Sequence, residues 1–234
     1  MKTPLTKQLT LILTLVALAG ILLHPARTAR AGAPAKLAMN SILPGNTSAF
    51  GKSLGEWQEL YWRWYYGGTT IPSDSNGNAA VGNVVLMPIP PTPGDGTPGH
   101  QDVTMNAGQA WIMPLWGLIG TSYSDGTSPD PFVDTEIFRT LDLTLEVDGK
   151  TVVSSANQMN YFSQIAFDPP LPLDFPPIVA GIWIQDVGIM HTPMTVGTHT
   201  MKLDVKNTIP VPPNFGGGFA EFHNTWTIEV RAHK

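Results

Sequence analysis

The chain runs to 234 residues without a cysteine, and with 42% hydrophobic but only 13% charged residues it is neither a disulfide-stapled scaffold nor a disordered or charge-rich helical protein. Its 13 basic and 18 acidic residues give a net charge of −5. Four of the basic residues (Lys2, Lys7, Arg27, Arg30) and none of the acids fall in the first 31 positions, leaving 9 basic against 18 acidic residues, a net charge of −9, for the rest. Such a surface without clustered Lys or Arg repels phosphate backbones and anionic lipid heads, which argues against a nucleic-acid partner.

Lys2 and Lys7 precede an apolar run from Leu9 to Leu23, and Ala29-Arg30-Ala31 supplies a small-x-small cleavage pattern. Residues 1–31 therefore read as a secretory signal peptide, and the protein as secreted, extracellular or periplasmic. No later run is long enough without charge or proline to span a bilayer, so no stable membrane span is expected after cleavage. Without cysteine a lipoprotein anchor is excluded.

Residues 32–52 read as an extended N-terminal segment and residues 53–68 as an aromatic helix. Ser53 and Glu56 have capping-box spacing, Leu54, Trp57, Tyr61 and Trp64 recur at helical intervals, and Gly67-Gly68 gives a stop. Trp57, Tyr61, Trp62 and Trp64 are candidate ligand-binding residues, as a sugar-stacking or protein-docking platform; the simpler expectation is that the helix plugs a sheet.

From residue 69 to 234 the period changes to two. Leu141, Leu143, Leu145 and Val147 alternate with polar residues before the turn signal Asp148-Gly149. His199, Met201, Leu203 and Val205 form one apolar set, and Phe222, Asn224, Trp226, Ile228 and Val230 another. Runs at 83–89, 110–119 and 181–190 bring the count to seven or eight strands. The 45 Gly and Pro residues lie between apolar runs as turns, and the proline-rich stretches 88–96 and 167–177 read as crossings or rigid rims. The fold class is all-β, a mainly antiparallel β-sandwich of immunoglobulin-like or jelly-roll-like kind, with one N-terminal aromatic α-helix.

Gly55-Glu56-Trp57 followed by Trp62 and Trp64, with Ala107-Gly108-Gln109-Ala110 and Val147-Asp148-Gly149 in the β-rich body, resembles secreted bacterial proteins that carry a G-E-W-x4-W-x-W segment. Gly197-Thr198-His199-Thr200 at a strand entry resembles immunoglobulin-like bacterial surface modules. Neither resemblance implies an activity or a catalytic residue.

Oxygen ligands at alternate positions suit calcium. The acid-rich loop holding Asp125, Asp130, Asp134 and Glu136 is the preferred metal candidate, with turn-building as the competing explanation. Asp74-Ser75-Asn76-Gly77-Asn78 begins like a calcium loop, but Val85 stands where the bidentate acid belongs. His191, His199 and His223, with Glu221, offer an alternative transition-metal set, although His199 lies in the apolar set of its strand and His223 in the polar set. No G-x-S-x-G elbow, glycine-rich phosphate loop or H-E-x-x-H pair is present, and no carboxylate pair can be nominated, so no catalytic residue is assigned. The functional expectation is a secreted, non-catalytic binding or envelope-associated module with a glycan or protein partner. A carbohydrate-active hydrolase and a self-assembling surface subunit are the alternatives.

Overall fold

The computed structural model describes residues 41–232; the expected signal peptide and the first part of the extended segment lie outside the described residues. A short hairpin, β1 (Ser48–Ala49) and β2 (Lys52–Ser53), leads into α1 (Leu54–Tyr65). Then come β3 (Ala80–Val81), β4 (Val84–Leu86), β5 (Asp95–Asn106), β6 (Ala110–Tyr123), the single-turn α2 (Glu136–Arg139), β7 (Asp142–Val147) and β8 (Lys150–Ser154). After a 3-10 turn at Gln158–Tyr161 the chain forms β9 (Phe162–Phe175), β10 (Ile178–His191), β11 (Gly197–Lys206), a second 3-10 turn at Pro213–Phe215 and β12 (Glu221–Arg231).

The strands make two five-stranded sheets, ordered β3-β4-β6-β10-β9 and β5-β12-β11-β7-β8. Side chains from both fill one core: Trp111, Met113, Val187 and Ile189 from the first sheet meet Leu143, Leu145, Leu203, Trp226 and Ile228 from the second. The molecule is thus β-rich with one substantial helix, as its alternating segments imply. The pairing is mixed, because β4 runs parallel to β6 and β5 parallel to β12.

Helix α1 begins where the sequence says it should. The Ser53 hydroxyl accepts from the Glu56 N–H and the Glu56 carboxylate accepts from the Ser53 N–H, so both halves of the capping box are made. The helix packs on the outer face of the first sheet, where Leu54, Trp57, Tyr61 and Trp62 meet Leu86, Ile112, Phe167, Leu171 and Ile184. β6 is consequently covered on both faces, with Trp111 and Met113 in the sandwich and Ala110 and Ile112 under the helix. A strand covered on both sides has no polar face, which explains the unbroken run Ala-Trp-Ile-Met-Pro-Leu-Trp from Ala110 to Trp116. Pro114 lacks an N–H for the ladder and is accommodated at a register shift, between the pairs Val187↔Trp116 and Gly188↔Pro114.

The tight turn at Asp148-Gly149 has positive φ at both residues, 50° and 70°, joining β7 to β8 as the Asp-Gly signal implies. Two long strands were not expected from the sequence. β5 and β9 carry Gly96, Pro98 and Gly99, and Pro169, Pro170 and Pro172, yet each lies at a sheet edge, where a missing N–H costs no central ladder bond. The stretch 167–177 is therefore mostly strand rather than a crossing, whereas residues 88–94 do remain a connection.

Candidate functional site

The aromatic helix turns two kinds of ring in two directions. Trp57 and Tyr61 are wholly buried: the Trp57 indole Nε1 donates to the Ala49 carbonyl at 2.9 Å, and the Tyr61 hydroxyl donates to the Met87 carbonyl at 2.7 Å. Burial pushes the Tyr61 phenol well above its ordinary pKa. Trp64 packs edge-on against Tyr61. Trp62 is also largely buried, but it is the member of the predicted quartet that lines a cleft.

A cleft of about 320 Å³ lies where the C-terminal turn of α1 meets β6, β11 and β12. Trp62, Tyr65 and Tyr66 come from the helix, Pro90, Pro91 and Thr92 from the proline-rich connection, and Trp116 from β6. Phe215, Phe219, Phe222 and Trp226 close it from the loop before β12 and from β12 itself. A second hollow of about 250 Å³ adjoins it, sharing Trp62, Tyr66, Gly117, Leu118 and Phe215 and adding Thr121, Asp130 and Asn214. Tyr65 and Phe219 stay 50% and 59% exposed, one from the helix and one from the loop. Of the two prolines that line the main cleft, Pro90 is buried and Pro91 exposed.

The loop carrying Phe215 and Phe219 is closed at its base by Asn207. The Asn207 amide donates to the Ile209 and Gly218 carbonyls and its Oδ1 accepts from the Ala220 N–H. Gly216, Gly217 and Gly218 all have φ between 66° and 92°, a left-handed run that side chains would strain, and it delivers Phe219 to the cleft.

Behind the shared wall sits Asp186, with no exposed surface. Its Oδ2 accepts from the Trp62 Nε1 at 2.7 Å, and its Oδ1 has no partner among the described residues. Its register partner on β6 is Gly117, where a Cβ would stand 2.8 Å from the Asp186 Cβ and 3.3 Å from the Trp62 ring. Only glycine there leaves room for both groups. Burial lifts the Asp186 carboxyl to a pKa of about 7, against the opposing pull of the Trp62 hydrogen bond. Gln58, also buried, reaches the Tyr161 carbonyl and the Ser163 hydroxyl beside it. Burial and the neighbouring Tyr65 push the Tyr66 phenol to about 12.

The candidate metal residues are each engaged close to home. Asp125 accepts from the Thr127 N–H at 2.9 Å, Asp134 from the Glu136 N–H at 2.9 Å, and Glu136 pairs with Arg139 at 3.3 Å. Asp130 is buried, but it turns inward to accept from the Thr121 N–H and hydroxyl, the Tyr123 hydroxyl and the Asn214 amide. Burial raises its pKa, but those hydrogen bonds outweigh it and hold the carboxyl below its ordinary value. Asp74 likewise closes its own turn, accepting from the Asn76 and Asn78 N–H groups and from the Gln109 amide.

The histidines are separately employed. His191 stacks on Trp111 and contacts the Thr192 carbonyl. His199 lies between Asp148, at 2.7 Å, and the Thr195 carbonyl, at 2.8 Å. His223 bridges Asp204 and Glu221 at 2.7 and 3.1 Å on the outer face of the second sheet. Among the described residues no three His, Asp or Glu side chains gather as a metal-holding group.

Sequence reasoning missed Trp116, Phe215, Phe219, Phe222 and Trp226 as cleft residues, and it missed Asp186. For Asp186 a signal existed: it is the single charged residue in β10. No helix of the described residues is long and apolar enough to cross a membrane. No family model matches the chain, and no curated protein matches it. Among solved structures, the solution structure of Amebosin is 14% identical over 57% of this chain and 96% of that one, with a TM-score of 0.19, too slight a likeness to bear on fold or function.

Proposed function

We propose that the protein is an exported, non-catalytic binding module whose ligand seats in the aromatic cleft between α1 and strands β6, β11 and β12. The observation that carries this reading is the cleft's composition. Aromatic rings from three separated chain segments, 62–66, 116 and 215–226, converge on one concavity together with Pro90 and Pro91, the mostly apolar hollow typical of small-ligand sites. Export rests on the charged, apolar and small-residue pattern of residues 1–31.

Hydrolysis of glycosides needs two carboxylates facing across the substrate. The main hollow is lined by no acid, and its neighbour by Asp130 alone, whose oxygens are already taken by four donors. The arrangement therefore supports binding over bond cleavage.

Ala220 lines the hollow and offers a way to fill it. The test compares thermal unfolding midpoints of the parent protein and an Ala220→Trp variant across a panel of neutral sugars, aromatic compounds and metal ions. A compound that raises the parent midpoint by several degrees and leaves the variant unmoved is the expected result, since a native-state ligand stabilises by mass action. A panel in which every stabilising compound acts equally on both proteins would place binding elsewhere.

A further inference from the structure

We propose that the occupant of this cleft is a small, uncharged, largely apolar molecule with a flat ring system, rather than a glycan or an anion; this rests on the cleft being the binding site. The two indole N–H groups on the cleft wall that could recognise sugar hydroxyls are spent inside the protein. The Trp62 Nε1 donates to Asp186 at 2.7 Å and the Trp226 Nε1 donates to the Pro88 carbonyl at 2.7 Å, so both indoles offer the cleft ring surface without an N–H. The Asn224 side chain is almost wholly buried and approaches the Thr92 hydroxyl. A sugar hydroxyl set against those indole rings finds no hydrogen-bond partner in them.

Charge points the same way. No Lys, Arg or His lines the main hollow, and the chain after residue 31 carries a net −9, so an anion finds no counter-charge. No acid lines it either, so a cation is not held. What remains is mostly ring surface and proline, with the Tyr65 and Tyr66 phenols among the polar groups, bounding about 320 Å³, room for a molecule of two or three rings. Tyr65 on the helix and Phe219 on the glycine-led loop both line the cleft and stay half-exposed, so their ring faces are open to a planar guest.

The probe is N-phenyl-1-naphthylamine, an uncharged two-part aromatic dye that brightens in apolar surroundings, titrated into the purified protein. Saturable one-to-one brightening is expected, weakened at least tenfold by Ala220→Trp and severalfold by Phe219→Ala. The second variant removes an exposed ring, and urea midpoints verify that both variants remain folded. Neutral oligosaccharides are titrated in parallel, with intrinsic tryptophan fluorescence as the readout. Oligosaccharide binding that Ala220→Trp abolishes, with no dye binding, overturns the ligand class and leaves the cleft as the binding site. Failure of both probes overturns the cleft itself. Dye brightening that is identical in parent and variants also sinks the proposal, because the dye is then held elsewhere.

Discussion

Replacing Asp186 by Asn should free the protein's stability from a pH dependence that one buried carboxyl now imposes. Asp186 is raised from 3.8 to about 7 by burial. Between those values the folded protein keeps a proton that the unfolded chain has released, so stability falls as pH rises. The loss starts above the unfolded value, runs through the folded one, and is complete above about pH 7. The difference between 3.8 and about 7 corresponds to about 4 kcal/mol in all, of which about 3 kcal/mol falls between pH 5 and pH 8. Asn keeps an oxygen to accept the Trp62 N–H, fits the space opposite Gly117 and does not ionise. Urea unfolding at pH 5, 6, 7 and 8 checks this. The difference in unfolding free energy, variant minus parent, should climb by about 3 kcal/mol across the series. Titration of His199 and His223, whose pKa values are raised, occurs in both proteins and cancels in that difference. A flat difference would mean that Asp186 is solvated or paired in solution, and the picture of a dry acid behind the Trp62 wall would fall.

Two further outcomes follow from the geometry. Ser53→Ala removes the hydroxyl that accepts from the Glu56 N–H and should cost about 1 kcal/mol, lowering the thermal midpoint by about 2–4 °C without altering dye binding. Excess calcium followed by chelator should leave the midpoint unchanged within about a degree, because Asp125, Asp134 and Glu136 satisfy their own turns and Asp130 is occupied by four donors. A rise of several degrees with calcium would show that the acid-rich loop rearranges around an ion.

The sequence carried the parts of this protein that are local. The Ser53 and Glu56 capping box, the alternation through Leu141–Val147, His199–Val205 and Phe222–Val230, and the Asp148-Gly149 turn all appear in the structure where the residues place them, since caps, pleats and tight turns are decided within a few residues. β5 and β9 were illegible because Pro and Gly argue against a strand unless it lies at an edge, and edge position is a property of the assembled sheet. The unbroken apolar run of β6 announced burial without saying that a helix would cover its second face.

The cleft was further out of reach. Its walls come from residues 62–66, 89–92, 114–118, 203 and 211–226, and nothing in any one segment says that they meet. The aromatic helix was legible as a surface wanting a partner, but which rings would be spent inward was not. Trp57 and Tyr61 differ from Trp62 by a rotation about the helix axis that only packing fixes. Asp186 shows the same division. Its sequence context marks a lone acid in a hydrophobic strand, while the pairing with Gly117 and the hydrogen bond from Trp62, contributed by segments 69 and 124 residues away, turn that acid into a buried, proton-holding support for the cleft wall.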